Sequence, residues 1–356
     1  MDQEHPSYDV IVVGAGPAGC EAAMAAGAAG ARVLCISMNL DTAGFPPGSP
    51  LLVAGEDDER GDLLRALRRG GGALPRLLEV ERVGAFSEGG ALVVDRRELG
   101  LAWKEAVESA PGVELRQAEA VSIERRGEGA SWLVGCRLGE LFESGAVILC
   151  AGTFLSGVTE DGAEAVGGGR RCESASEELP GSLRALGLAL VEMKAVAPDR
   201  IILPGPDDSA PPQLDERLKF GMVPDGAQLG EWAVTGIGSR VSAAVGASRG
   251  SNDTTPGRWT TRAAYSVRHL GLAASQIGER MESVRLPGLF LAGRCAGASG
   301  YVESAVSGWV AGREAAAEGS RAETLIDEDT LVTKLCHKLA RSTERPVSAH
   351  MLADTT

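Results

Sequence analysis

YDVIVVGAGPAGCEAAMAAGAAGARVLCIS, residues 8–37, decides the fold. Tyr8 to Val13 is a short β-branched run and reads as a buried strand. It enters Gly14-Ala15-Gly16-Pro17-Ala18-Gly19 directly, and an Ala-rich helix follows from about Cys20 to Ala29. Gly30 ends that helix, and Ala31 to Ser37 forms the next buried strand. The result is a βαβ unit opened by Gly-x-Gly-x-x-Gly. Gly14 permits the tight turn, Gly16 lets the backbone approach a pyrophosphate, and Gly19 lets the helix pack on the strand. The free N–H groups of the helix start, including that of Ala18 after Pro17, then point at the phosphates. The acid usual at the end of the second strand is missing. Ser37 stands there, followed by Met38 and Asn39, and a hydroxyl or an amide would serve the ribose instead.

The rest of the chain extends this start into a large α/β unit with an insert. Its 356 residues exceed one typical domain. Residues 40–62 read as a loop and Arg60 to Val80 as a helix broken at Gly70-Gly71-Gly72. Asp95 to Ser109 reads as an amphipathic helix, followed by short strands as far as Cys150. From Lys194 to about Arg285 prolines recur without strong periodicity, which marks an insert. The expected division is a discontinuous nucleotide domain over 1–195 and 286–319, an insert over 196–285, and a tail over 320–356 with one helix near Leu331 to Leu339.

Composition narrows the function. A formal net charge of -14 disfavours non-specific nucleic-acid binding. Seven cysteines without a CxxC pair disfavour a disulfide framework, a structural zinc site or a disulfide reductase. Four of them, Cys20, Cys35, Cys136 and Cys150, lie in apolar patterns and read as small core residues. The four histidines match no metal spacing, so no metal is expected. The N-terminus does not read as a signal peptide, nor any segment as a membrane helix, which gives a soluble, cytoplasmic expectation.

Two further stretches join the first. The strand Val147 to Cys150 runs into Ala151-Gly152-Thr153, small residues that let the backbone pass close to a flat ligand. Gly293-Arg294-Cys295-Ala296-Gly297-Ala298-Ser299-Gly300-Tyr301 opens a helix with Val302, Ala305, Val306, Trp309 and Val310 on its apolar face. The N–H groups and dipole at that helix start suit the negative charge of a reduced flavin. The three stretches can meet around one FAD. The fold expected is α/β: a doubly wound, FAD-binding Rossmann-type domain of the glutathione-reductase type with a small inserted domain.

Together YDVIVVGAGPAGCEAAMAA, NLDTAG, GGRRCESASEELPGSLRALGLALVEMK and PGLFLAGRCAGASGYVESAVSGWVAG resemble the GidA/MnmG and TrmFO family, over roughly residues 7–195 and 286–318. The resemblance implies an FAD protein that modifies uridines in tRNA, using NADH or NADPH as electron donor and, in some branches, a folate. Gly14, Gly16, Pro17, Ala18, Gly19, Ser37, Asn39, Ala151, Gly152, Thr153, Gly293, Arg294, Gly300 and Tyr301 fall on the expected cofactor-binding positions. Where the family places a reactive cysteine after NLDT, this chain reads Phe45-Pro46-Pro47-Gly48, and covalent attack on a pyrimidine has no nucleophile there. The insert is short and holds no cysteine, and the family's Lys-Thr-Gly-Thr-Pro-Pro is reduced to Lys194-Ala195-Val196-Ala197-Pro198. The family's large helical C-terminal domain has no counterpart in this sequence.

The function expected is therefore a flavin-dependent oxidoreductase related to the tRNA-uridine modifiers. The alternative is a non-catalytic or partner-dependent flavin-binding subunit, with tRNA or a partner protein as the binding partner. A plain NAD dehydrogenase would not need the GRCAGASGY stretch. No residue stands out as the catalytic acid or base. Cys295 and Cys172 read as buried small residues, His269 as a surface histidine, and Lys334, His337, Lys338 and Arg341 as the solvated face of a docked tail helix.

Overall fold

The computed structural model describes residues 5–48, 50–81, 83–86, 90–127, 131–160, 164–197, 200–202, 222–224, 231–234, 259–262, 265–317 and 331–342. Strand β1 (Ser7–Val13) is buried from Val10 to Val13. Helix α1 (Pro17–Ala28) carries the chain to β2 (Val33–Ser37), which pairs with β1 in parallel, Val10 opposite Val33 and Val13 opposite Ile36.

The stretch expected as a loop over 40–62 holds more structure than its prolines suggest. It contains a 3-10 turn at Leu40–Thr42, strand β3 (Leu51–Val53) and the start of α2 (Glu59–Arg69). Asp58 caps α2, its carboxylate accepting from the Arg60 N–H at 3.1 Å. A short α3 (Leu74–Leu77) follows the glycine break. Strands β4 (Gly84–Phe86) and β5 (Leu92–Val94) join β3 in a small antiparallel sheet. Asp95 caps α4 (Arg96–Ser109), which delivers the chain to β6 (Val113–Gln117) beside β2.

Strands β7 (Ala120–Arg126), β8 (Ser131–Cys136) and β9 (Leu141–Leu149) form an antiparallel meander. β9 is long enough to have two partners on one edge. Leu141 to Ser144 pair with β8, and Val147 to Leu149 pair in parallel with β18 (Leu289–Leu291). On its other edge β9 runs parallel to β1, Val13 opposite Leu149. The parallel order is β6-β2-β1-β9-β18. The order reverses between β1 and β9, so the crevice beyond their carboxyl ends is where a doubly wound sheet takes its ligand.

A second sheet contains β10 (Val158–Glu160), β11 (Ala165–Gly167), β12 (Leu190–Ala197) and β17 (Tyr265–Leu272), ordered β11-β10-β17-β12. Helix α5 (Leu179–Ala185) precedes β12. β12 and β17 pair over their full lengths, Leu190 opposite Leu272 and Ala197 opposite Tyr265. The expected boundary at 195/196 falls within β12. Between them, β13 (Arg200–Ile202), β14 (Met222–Pro224), β15 (Glu231–Val234) and β16 (Trp259–Arg262) form a third antiparallel sheet.

Helix α6 (Tyr301–Ala317) packs against α1 with almost no space between backbones. A Cβ on Gly308 would lie 2.0 Å from the Ala18 carbonyl oxygen, and one on Gly312 2.3 Å from that of Ala22. The small residues of both helices therefore set their separation. Glu21 of α1 is fully buried and its carboxylate accepts from the backbone N–H groups of Ala73 (2.6 Å) and Leu74 (2.9 Å). Burial outweighs those two bonds and pushes its carboxyl up to about 7. Helix α7 (Leu331–Arg341) buries Val332, Leu335, Cys336 and Leu339, while His337 and Arg341 pair with Glu279. The expected tail over 320–356 lies otherwise outside the described residues. Among those described, no helix is long and apolar enough to cross a membrane.

Candidate functional site

A cavity of about 560 Å³ opens at the crevice between β1 and β9, and its far wall is Ala195 to Ala197, Tyr265 and Val267 of the second sheet. Gly14 has φ +104°, and a Cβ there would lie 2.4 Å from the Cys150 carbonyl oxygen. That close approach brings the first turn against the end of β9. Gly19 serves the turn differently: its Cβ would strike the Gly14 carbonyl, and it packs behind the cavity rather than lining it. Gly16 faces open space, with nothing within 4 Å of where a Cβ would stand. Helix α1 begins at Pro17 with no side-chain cap, so its first N–H groups remain for a ligand.

The remaining expected residues of the three stretches reach the same cavity. Ser37 and Asn39 lie at its edge, though both side chains already act in the local turn. The Ser37 hydroxyl donates to the Asn39 carbonyl (3.2 Å), and the Asn39 amide oxygen accepts from the Asp41 N–H (3.0 Å). Ala151, Gly152 and Thr153 follow β9, with the Thr153 hydroxyl donating to the Gly169 carbonyl at 2.5 Å. The Gly293 N–H donates to the Ser307 hydroxyl at 2.9 Å, tying the third stretch to α6. The hydroxyl of Tyr301 is taken up by the scaffold. It donates to the Gly44 carbonyl and accepts from the Trp103 indole N–H at 2.8 Å. Burial holds its phenol well above the ordinary value.

Several charged or polar wall residues, Arg60, Arg170 and Ser176 among them, escape a reading of the sequence by motifs alone. Arg60 sits at the start of α2, bound through its guanidinium to Asp58. Arg170 lies over the Phe154 ring, 5.2 Å from its centroid, and beside Glu173 at 3.5 Å. Ser176 is buried where residues 153–157 and 168–176 interlock, its backbone N–H donating to the Phe154 carbonyl at 2.8 Å. The Arg170 Nη1, the Ser176 Oγ and the Arg294 Nε are buried without a protein partner, and all three residues line the cavity. Buried polar atoms are ordinarily satisfied. Open N–H groups at the start of α1, with the cations Arg170 and Arg294 on the surrounding wall, fit a large polar ligand carrying phosphates. The sequence signal for Arg170 and Ser176 was present in GGRRCESAS, but their orientation depends on two loops meeting.

Other expectations change. His269 is buried on β17, not on the surface. Its Nδ1–H donates to the Leu270 carbonyl at 3.0 Å, and burial pushes it down to about 4, so it is neutral at pH 7. SVRHLGL lacks clean alternation, yet pairing with β12 and the 294–296 turn cover this position. Cys172 is exposed rather than buried, with φ +63°. Cys295 is buried, as expected, and burial raises its thiol to about 11. Cys150 also lines the cavity, and burial holds it well above its ordinary value. Gly48 lines the wall and its carbonyl accepts from Arg96 at 3.2 Å. Among the described residues, the cysteine that lines the cavity is Cys150, and it offers no thiolate there.

A sequence model of the family described as "Glucose inhibited division protein A" matches residues 9–204 and 259–323. The tRNA uridine 5-carboxymethylaminomethyl modification enzyme MnmG of Syntrophobacter fumaroxidans is 37% identical over 204 residues, covering 54% of this chain and 31% of that protein. The protein of the same name from Roseiflexus castenholzii is 26% identical over 438 aligned positions, covering 89% and 64%. The chain thus spans less than two thirds of the length of these curated relatives. Among solved structures, Aquifex aeolicus GidA superposes with a TM-score of 0.82 at 22% identity, over 97% of this chain and 69% of that one. The p-nitrophenol 4-monooxygenase PnpA of Pseudomonas putida superposes at 0.54 and 15% identity, over 94% and 84%. These likenesses establish the doubly wound fold that the strand order describes.

Proposed function

This chain belongs to the glucose inhibited division protein A family, and on that premise we propose that it is an FAD-binding oxidoreductase. The observation that carries the reading is the meeting of three separate stretches around one cavity, with Arg170, Ser176 and Arg294 among the residues that line it. FAD, when bound, supplies hydride chemistry at its ring. The N–H groups at the start of α1 bind the diphosphate, with Gly16 leaving room for it. Arg170 and Ser176 supply further donors. Tyr301 is held in the wall by its hydrogen bonds to Trp103 and Gly44 behind it, and the apolar faces of Val267 and Ala197 exclude water. The insert expected over 196–285, set within a nucleotide domain of 1–195 and 286–319, belongs to the same reading, as does a cytoplasmic location.

NADH or NADPH as donor, and a uridine of tRNA as the ultimate target, follow from the relatives' names and the resemblance. The test is an anaerobic titration of the FAD-loaded chain with each nicotinamide, followed by flavin absorbance. Bleaching at stoichiometric donor supports the oxidoreductase; bound flavin that stays oxidised refutes it. One observation favours a second reading. Gly48 stands where the family's nucleophile is expected, and the buried cysteines supply no thiolate. A partner-dependent flavin subunit accounts for that. Turnover by the isolated chain on tRNA would overturn this second reading.

A further inference from the structure

Arg294 carries a positive charge on the cavity wall that is held by carbonyls rather than by an ion-paired carboxylate. Its guanidinium donates to two carbonyls, Nη1 to Ser299 (3.1 Å) and Nη2 to Lys194 (2.8 Å), and its buried Nε has no partner. Carbonyls satisfy hydrogen bonds but do not neutralise a cation. No carboxylate among the described residues is in ion-pair contact with it, and the charge that favours its cationic form is that of Glu303, buried on the same wall. Burial pulls the guanidinium down to about 10, which still leaves it charged at pH 7. On the other side His269 is neutral. A largely buried charge with no carboxylate in ion-pair contact is costly, and it persists where a ligand brings a further anion.

The position of Arg294 says which part of a ligand that is. The phosphate-facing donors belong to the Gly14–Gly19 turn and the start of α1. The Nη atoms of Arg294 instead bridge Ser299, next to the start of α6, and Lys194 in the second sheet. We propose that Arg294 is the counter-charge to the flavin ring in its reduced, anionic form, so that this chain holds reduced flavin more tightly than oxidised flavin. The inference rests on the FAD reading above. Two-electron reduction by one hydride gives the neutral oxidised ring one negative charge, while the hydride donor leaves oxidised by two electrons. A fixed cation stabilises that product and leaves the oxidised ring little affected.

Sulfite tests this without turnover. It adds through its own electron pair to the ring N5 of oxidised flavin, and the adduct carries the same negative ring charge. The FAD-loaded chain is compared with Arg294→Gln and with Arg294→Lys, which keeps the charge. We expect Arg294→Gln to raise the sulfite dissociation constant at least about tenfold. The flavin midpoint potential should fall in step, by about 30 mV per tenfold for a two-electron couple. Arg294→Lys should recover most of both, and the affinity for oxidised FAD should change less than about threefold. Unchanged sulfite affinity and potential in Arg294→Gln would overturn the inference while leaving flavin binding intact. Equal loss of oxidised FAD in both variants would place Arg294 on the diphosphate instead and also overturn it. A wild-type chain that takes up no flavin refutes the FAD reading, and this inference with it.

Discussion

Replacing Glu21 with Gln should change how the stability of this protein depends on pH. The carboxylate is fully buried beneath the start of α3, and desolvation outweighs the two backbone N–H groups that it accepts. Its folded value is raised from 4.5 to about 7. Because the folded value lies above the unfolded one, the protonated group is the favoured buried form. Its contribution is fully present below pH 4.5 and is lost as pH rises through about 7. At roughly 1.4 kcal/mol per unit, the whole change is about 3 kcal/mol. Glutamine has the same shape and never ionises, so it cannot show this loss. Urea melts of both proteins at intervals from pH 4.5 to 8 give the difference in unfolding free energy. The variant should gain about 3 kcal/mol relative to the natural protein across that range, most of it between pH 5.5 and 7.5. Parallel pH profiles would refute the reasoning, because they would mean that Glu21 titrates alike in the folded and unfolded chains.

Three more substitutions test the architecture. Gly308→Val drives a side chain into the Ala18 carbonyl, 2.0 Å from the first added atom; a loss of about 3 kcal/mol or more is expected in thermal melts. Cys172→Gly relieves a left-handed backbone at φ +63°; a gain of up to about 1 kcal/mol is expected, and a lowered melting midpoint would contradict it. Tyr301→Phe leaves the Gly44 carbonyl and the Trp103 indole N–H without their partner. A loss of about 1–3 kcal/mol and altered Trp fluorescence should follow.

Much of this molecule is legible in the sequence because local and long-range requirements coincide there. The run from Tyr8 to Ser37 forms strand, turn and helix by pattern alone, and Gly14 also meets the demand of β9 for a close neighbour. Residues 40–62 hide behind Pro46, Pro47 and Pro50, although Asp58 before Glu59 carries a helix-start signal. What sequence cannot display is a property made by two segments meeting. His269 is buried because β12 pairs with β17 and the 294–296 turn lies across Gly271, whose Cβ would stand 2.9 Å from the Cys295 carbonyl. The same holds for Arg170 and Ser176, which line the cavity because two loops interlock. Tyr301 shows the reverse. Its motif brings it to the cavity, while its hydroxyl is committed to Gly44 and Trp103.

The central claim is that this cavity holds FAD, and reconstitution tests it most directly. The unfolded, flavin-free chain is refolded with FAD, and bound flavin is counted per chain for the natural protein and for Gly16→Glu. Gly16 has φ −72° and open space beyond it, so glutamate fits the fold while placing a negative side chain where the phosphates would lie. The account predicts one FAD per natural chain and a folded Gly16→Glu variant that binds none. A natural chain that takes up no flavin, or a variant that retains it equally, would contradict the account.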